Sequence, residues 1–189
     1  MKFYMKLQDW LAGPFSQKMQ KFMQNPYMHA LQVCFTIILP MIMVGSLASL
    51  VNTFRNFAPW LPDLSLINSF SFGLISIFMA FLIPYTIMES KKLQKQKMIT
   101  GFASVSALIA LANPQYVDGN LVINSGYVGT GGMTVAMVIG LVIGWLFSAY
   151  FKHGLFKKDS SLPSVVVVWF ESILIIFVLI LVCIIIGQN

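Results

Sequence analysis

GMTVAMVIGLVIGWLFS, residues 132–148, contains neither a charge nor a proline. Gly132, Ala136, Gly140, Gly144 and Ser148 recur at every fourth position, and most residues between them are bulky and apolar. A helix apolar on all sides fits a lipid bilayer better than a water-soluble core. Within lipid, burying apolar surface gives helices little drive to pair, so pairing depends on the close backbone approach that small residues permit. The stretch therefore predicts a membrane-spanning helix with a packing ridge. Residues four apart turn by about 400°, so the row drifts about 40° per step. Ala136, Gly140 and Gly144 stay within about 80° of one another and form the predicted crossing point. Gly132 then belongs to the preceding turn, and Ser148 meets a different neighbour. The small residues of the third helix are the expected complement, which makes the row an internal packing seam.

The whole chain fits that setting. Of its 189 residues, 58% are hydrophobic and 10% are charged, where a soluble domain carries about 25% charged residues. Mean hydropathy is +0.81. The fold class is all-α integral membrane protein, with about five transmembrane helices. A net charge of +6 would suggest nucleic acid in a soluble protein. Here the lysines flank apolar segments, so they read as orientation signals and contacts to anionic lipid, with no nucleic-acid partner. Cys34 and Cys183 lie inside apolar runs without a CxxC pair or a histidine cluster and read as small apolar residues.

Residues 1–27 form an amphipathic interfacial segment. Phe3, Tyr4, Leu7, Trp10 and Leu11 interleave with Lys2, Lys6 and Asp9; Gly13-Pro14 interrupts, and a second short helix runs from Phe15 to Met23. The segment lacks a continuous apolar h-region and a small-residue cleavage site, so the first span itself is expected to direct insertion. Residues 28–189 form the membrane domain. Its first span covers Met28–Val51, with Pro40 predicting a kink and Gly45 and Ser49 forming a second small pair. His29 at its start reads as an interfacial histidine. The second span covers Leu66–Met88, with Pro84 bending its far end. The third, Met98–Ala112, rises only about 22 Å. That is short for a lipid-exposed span, so it is expected to lie between other helices. Asp118-Gly119 between Tyr116-Val117 and Leu121-Val122-Ile123 signals a small extracytoplasmic β-hairpin. A Gly-rich turn then opens the fourth span, which runs to Phe151, and Pro163 leads into a fifth, Ser164–Gly187.

Charge sets the expected orientation. Residues 1–27 carry four lysines, 89–97 four and 152–158 three, while the alternate loops hold only Arg55 against Asp63 and Asp118. The lysine-rich side is cytoplasmic by the positive-inside rule. The amino terminus is then cytoplasmic, and five spans place the carboxyl terminus outside.

Catalytic chemistry is absent from the pattern. Glu171 is the one ionisable residue deep in an apolar run and marks a possible buried polar site. It reads as a carboxyl bonded to a neighbouring helix, a substrate or proton site, or a contact to a partner domain. It has no second carboxylate for acid–base work. No nucleophile–base set and no metal-ligand spacing accompanies it. The glycines at 126, 129, 131 and 132 lack the Walker lysine, so no phosphate-binding loop and no cofactor is expected.

Three stretches resemble the membrane component (enzyme IIC) of the bacterial phosphotransferase system, lactose/cellobiose/diacetylchitobiose branch. They are ALQVCFTIILPMIMVGSLASLVN (30–52), YVGTGGMTVAMVIGLVIGWLF (127–147) and LPSVVVVWFESI (162–173). The first resembles that family's proline-bearing first span, the second a Gly-rich turn opening its fourth helix, and the third a proline-led later span. The resemblance covers the amino-terminal half of the family only, whose five helices form a scaffold and dimerisation domain. The family's sugar-binding residues belong mostly to its second half, and none can be carried onto this chain. The resemblance implies the scaffold half of a β-disaccharide transporter in the bacterial cytoplasmic membrane. It also implies a homodimer, with a second chain as the expected carrier of the sugar-binding half. The alternative is a stand-alone half-size membrane protein with an immunity, regulatory or adaptor role and no transport.

Overall fold

The computed structural model describes residue 13 and residues 16–153 and 164–187; for the last helix, side chains are described only from Ser172 onward, Leu174 and Ile186–Gly187 excepted. The expected amphipathic stretch at residues 1–11 lies outside the described residues. In chain order the elements are α1 (Ser16–Met23), α2 (Pro26–Phe54), α3 (Ser65–Ser71), α4 (Ile75–Ser90) and α5 (Lys97–Leu111). Strands β1 (Gln115–Val117) and β2 (Asn120–Val122), a single turn α6 (Ser125–Val128), α7 (Met133–His153) and α8 (Ser164–Gly187) follow. Among the described residues, three segments are long and apolar enough to cross a membrane: Pro26–Phe54, Ser65–Ser90 and Thr130–Lys152. Lys97–Leu111 and Ile175–Ile185 are shorter apolar helical stretches. The chain is built as a multi-pass membrane protein.

Local chemistry accounts for the helix ends. The Asn25 side chain accepts from the Tyr27 amide at 3.0 Å, and Pro26 opens α2 where its missing N–H costs nothing. Pro40 sits inside α2, which continues as one helix through it. The hydroxyls of Thr36, Ser46 and Thr86 bond back to the carbonyls of Gln32, Ile42 and Leu82 at 2.8–2.9 Å. Such back-bonds satisfy polar side chains that lipid cannot serve. In the loop after α2, Asp63 pairs with Arg55 at 2.9 Å. The Ser65 amide, donating to Asp63 Oδ1, holds that carboxyl below the usual carboxylate range.

The second span is not one α-helix. It breaks into a 3-10 turn at Phe72–Leu74 between α3 and α4, while Pro84, the expected bend, lies within the continuous helix α4. The break has tertiary causes. Phe72 lies against Gly45 of α2, and Ser76 Oγ donates to the carbonyl of Gly129 at 2.5 Å.

Helix α4 is the centre of the bundle. It packs against α2, α5 and α7, and α5 in turn packs against α8. Ile75, Met79, Ala80, Ile83, Ile87 and Met88 of α4 are buried. They meet Ala30, Cys34 and Ile38 of α2, Ala103, Ala107 and Leu108 of α5, and Ala136, Ile139, Ile143 and Phe147 of α7. The short helix α5 lies between other helices as expected, packing its small face among α4, α7 and α8, while Phe102 remains 63% exposed on its outer side. The hairpin pairs Val117 with Asn120 around Asp118 (φ 51°) and Gly119 (φ 79°). Positive φ at both central residues is the type I′ turn that the Asp-Gly pair predicts.

Candidate functional site

Two sets of residues carry the functional reading: small residues that set helix spacing, and a lysine-lined polar face at one end of the bundle. On α7, Ala136, Gly140 and Gly144 are all buried. A Cβ at Gly140 would stand 3.0 Å from Ile83 Cβ, and one at Gly144 would stand 2.6 Å from Ile87 Cδ1 and 3.3 Å from Pro84 Cα. At Gly140 and Gly144 the facing surface is therefore α4, of the second span, while the third helix that the sequence suggested, α5, also packs against α7. The small face of α5 is turned on α4 too: a Cβ at Gly101 would stand 2.6 Å from the Phe81 ring. The other small pair repeats the pattern. Gly45 receives Phe72, and Ser49 Oγ accepts from Asn68 Nδ2 at 3.0 Å.

The glycine contacts share one pattern. A small ridge leaves a groove, and at Gly45, Gly101, Gly140 and Gly144 a bulky side chain fills it. Segment 65–90 supplies the bulk each time, through Phe72, Phe81, Ile83, Pro84 and Ile87. Pro84 serves two of these glycines: its Cδ would stand 3.3 Å from a Cβ at Gly140 and its Cα 3.3 Å from one at Gly144. Gly132 lies in the 3-10 turn Thr130–Gly132, where an added Cβ would fall on the Tyr127 carbonyl oxygen.

The polar face gathers the start of α2, the α4–α5 turn and the end of α7. Lys91 Nζ donates to Tyr27 Oη and to Ser148 Oγ, each at 2.7 Å, and lies 4.6 Å from the centre of the Tyr27 ring. Ser148, buried, donates onward to the Trp145 carbonyl at 2.8 Å. Lys97 pairs with Glu89 at 2.8 Å and lies over the Tyr85 ring. His29 Nδ1 is 3.4 Å from Ser90 Oγ. A cavity of about 480 Å³ opens beside Lys91, lined also by Tyr27, Leu93, Trp145, Ser148 and Lys152. Ser148 thus meets a neighbour different from that of Gly140 and Gly144. Sequence reasoning assigned the lysines to orientation and to anionic-lipid contact, and missed that Lys91 and Lys152 share a cavity. The available signals were an aromatic residue directly after Asn25-Pro26 and the polar end of the small row.

The Glu171 side chain lies outside the described residues. Among the described residues no group of three or more His, Cys, Asp or Glu side chains is placed to hold a metal ion. Compared with family models, with curated proteins and with solved structures, the chain matches none.

Proposed function

We propose that this chain is the scaffold half of a phosphotransferase-system β-disaccharide transporter. In this reading it dimerises in the bacterial cytoplasmic membrane and holds a mobile sugar-binding half supplied by a second chain. Five helices span the bilayer, with the amino terminus cytoplasmic and the carboxyl terminus outside. The observation that carries the reading is the convergence of small-residue contacts from α2, α5 and α7 on one segment, residues 65–90. Such a bundle is suited to being a rigid base, because close-packed interiors deform little. A second feature supports self-association. Phe35, Leu39, Met43, Leu47, Leu50 and Phe54 form an exposed apolar stripe along α2. The order of the three family-like stretches along the chain supplies the sugar-transport part of the proposal.

Two measurements test it together. A tagged chain solubilised in mild detergent is expected to copurify with an untagged copy or with a second membrane protein. Deletion is expected to reduce uptake of at least one β-disaccharide. Self-association with unchanged uptake of every β-disaccharide would assign the chain to the adaptor class instead. Recovery of the chain alone would remove the scaffold reading.

A further inference from the structure

We propose that the cavity beside Lys91 binds a phosphate group, and that its source is the headgroup of an anionic phospholipid. The inference is independent of sugar transport and needs only that the chain lies in a bilayer. An ammonium has three N–H donors. Two of those on Lys91 go to neutral oxygens, Tyr27 Oη and Ser148 Oγ. The two ion pairs among the described residues, Arg55–Asp63 and Lys97–Glu89, do not involve it. Lys91 therefore holds a positive charge with one donor unspent and no carboxylate within ion-pair distance among the described residues. Its side chain does not close its own helix either, since its bonds run to α2 and α7.

The surrounding groups converge on the same space. Tyr27 Oη accepts from Lys91, which leaves its own hydrogen to donate. Lys152 lines the cavity as a second cation. The Lys91 ammonium, the Tyr27 hydroxyl and the Lys152 ammonium form a set of donors with an unmet need for an acceptor bearing negative charge. Phosphate oxygens meet that need through charge-assisted bonds. The volume of about 480 Å³ falls within the range of about 300–1,000 Å³ typical of small-ligand sites.

Lipid is favoured as the source by what lines the rest of the cavity. Leu93 and Trp145 share it, and Trp145 is 58% exposed on the outer surface of α7. Tryptophan and tyrosine at a membrane surface place an apolar body toward acyl chains and a polar tip toward headgroups. A soluble phosphate ester would gain nothing from this apolar wall, whereas a phospholipid lays its chains along it.

Native mass spectrometry of the detergent-solubilised full chain tests the proposal. Equal amounts of phosphatidylglycerol and phosphatidylcholine are offered, with inorganic phosphate in a separate arm. The wild type is expected to retain one phosphatidylglycerol in preference to phosphatidylcholine. Lys91→Gln is expected to lower that retention about tenfold, the scale of one charge-assisted hydrogen bond. Lys91→Arg and the neighbouring Lys92→Gln, which changes charge outside the cavity, are expected to stay within about twofold of wild type. Lys152→Gln, at an exposed position, gives an intermediate loss that does not depend on folding around Lys91. An equal loss in Lys92→Gln and Lys91→Gln would reduce the effect to bulk charge and overturn the site. Stabilisation by inorganic phosphate without selective retention of phosphatidylglycerol would overturn lipid as the source. Unchanged retention in both Lys91→Gln and Lys152→Gln would overturn the proposal outright.

Discussion

Gly132 has the most constrained position among the described glycines. Its obstacle is backbone, the Tyr127 carbonyl oxygen, rather than a side chain that can swing away. Gly132→Ala is therefore expected to force the 127–132 turn open at a cost of about 2–4 kcal/mol. Thermal unfolding in detergent should show a larger loss for it than for Gly144→Ala, where the nearest atom is the mobile end of Ile87. Equal losses would mean that the turn yields more easily than its geometry implies. Ser104 presents the opposite case. Its hydroxyl is buried on α5 without a hydrogen-bond partner among the described residues. Removing an unpaired buried hydroxyl relieves a desolvation cost, so Ser104→Ala is expected to leave stability unchanged or raise it by about 1 kcal/mol. A clear drop in the unfolding midpoint would reveal a partner for that oxygen.

At the scale of elements, the α4–α7 contact depends on two glycines set against Ile83, Pro84 and Ile87. Gly140→Val places branched carbons where Ile83 Cβ already stands and is expected to push the helices apart, costing about 1–3 kcal/mol. A disulfide-trapping scan between α4 and α7 would detect the separation as lost cross-linking; full cross-linking would show that the seam absorbs the bulk. Helix positions were largely legible in the sequence. Expected limits of 28–51, 98–112, 132–151 and 164–187 compare with Pro26–Phe54, Lys97–Leu111, Met133–His153 and Ser164–Gly187. Lysines, prolines and glycines end the apolar runs, and each acts locally. The hairpin was legible for the same reason, since Asp118-Gly119 specifies its own turn. The break at Phe72–Leu74 was not, because its causes are Gly45 and Gly129, more than 20 residues away in sequence. Nor was the partner of Gly140 and Gly144, because a ridge announces that it will be filled but not by which helix. The Lys91 cavity draws on three segments, and no local pattern joins them.

Across the whole molecule, the start of α2 meets the lysine-bearing ends of α4, α5 and α7 on one face, through contacts among Tyr27, Lys91 and Ser148 and between Lys97 and Glu89. By the positive-inside rule such a face is expected on the cytoplasmic side. Single cysteines provide the check in a background carrying Cys34→Ser and Cys183→Ser. Asn120→Cys on the hairpin is expected to react with a membrane-impermeant maleimide in intact cells. Lys92→Cys is expected to react only after permeabilisation. The reverse pattern would invert the topology.

The central place of α4 also bears on the order of synthesis. Its neighbours do not arrive together: α2 precedes it, α5 follows at once, and α7 comes last. At about 5–20 residues per second, the roughly 40 residues between Ser90 and Met133 take roughly 2–8 s to make. During that interval the side of α4 formed by Ile83, Pro84 and Ile87 has no glycine ridge to rest on. A nascent chain halted before Met133 would therefore sit in the membrane with its central helix half-covered, open to chaperones and proteases. Completing α7 closes that window, so the small-residue row that sets the spacing of the finished bundle also sets the moment at which the bundle can exist.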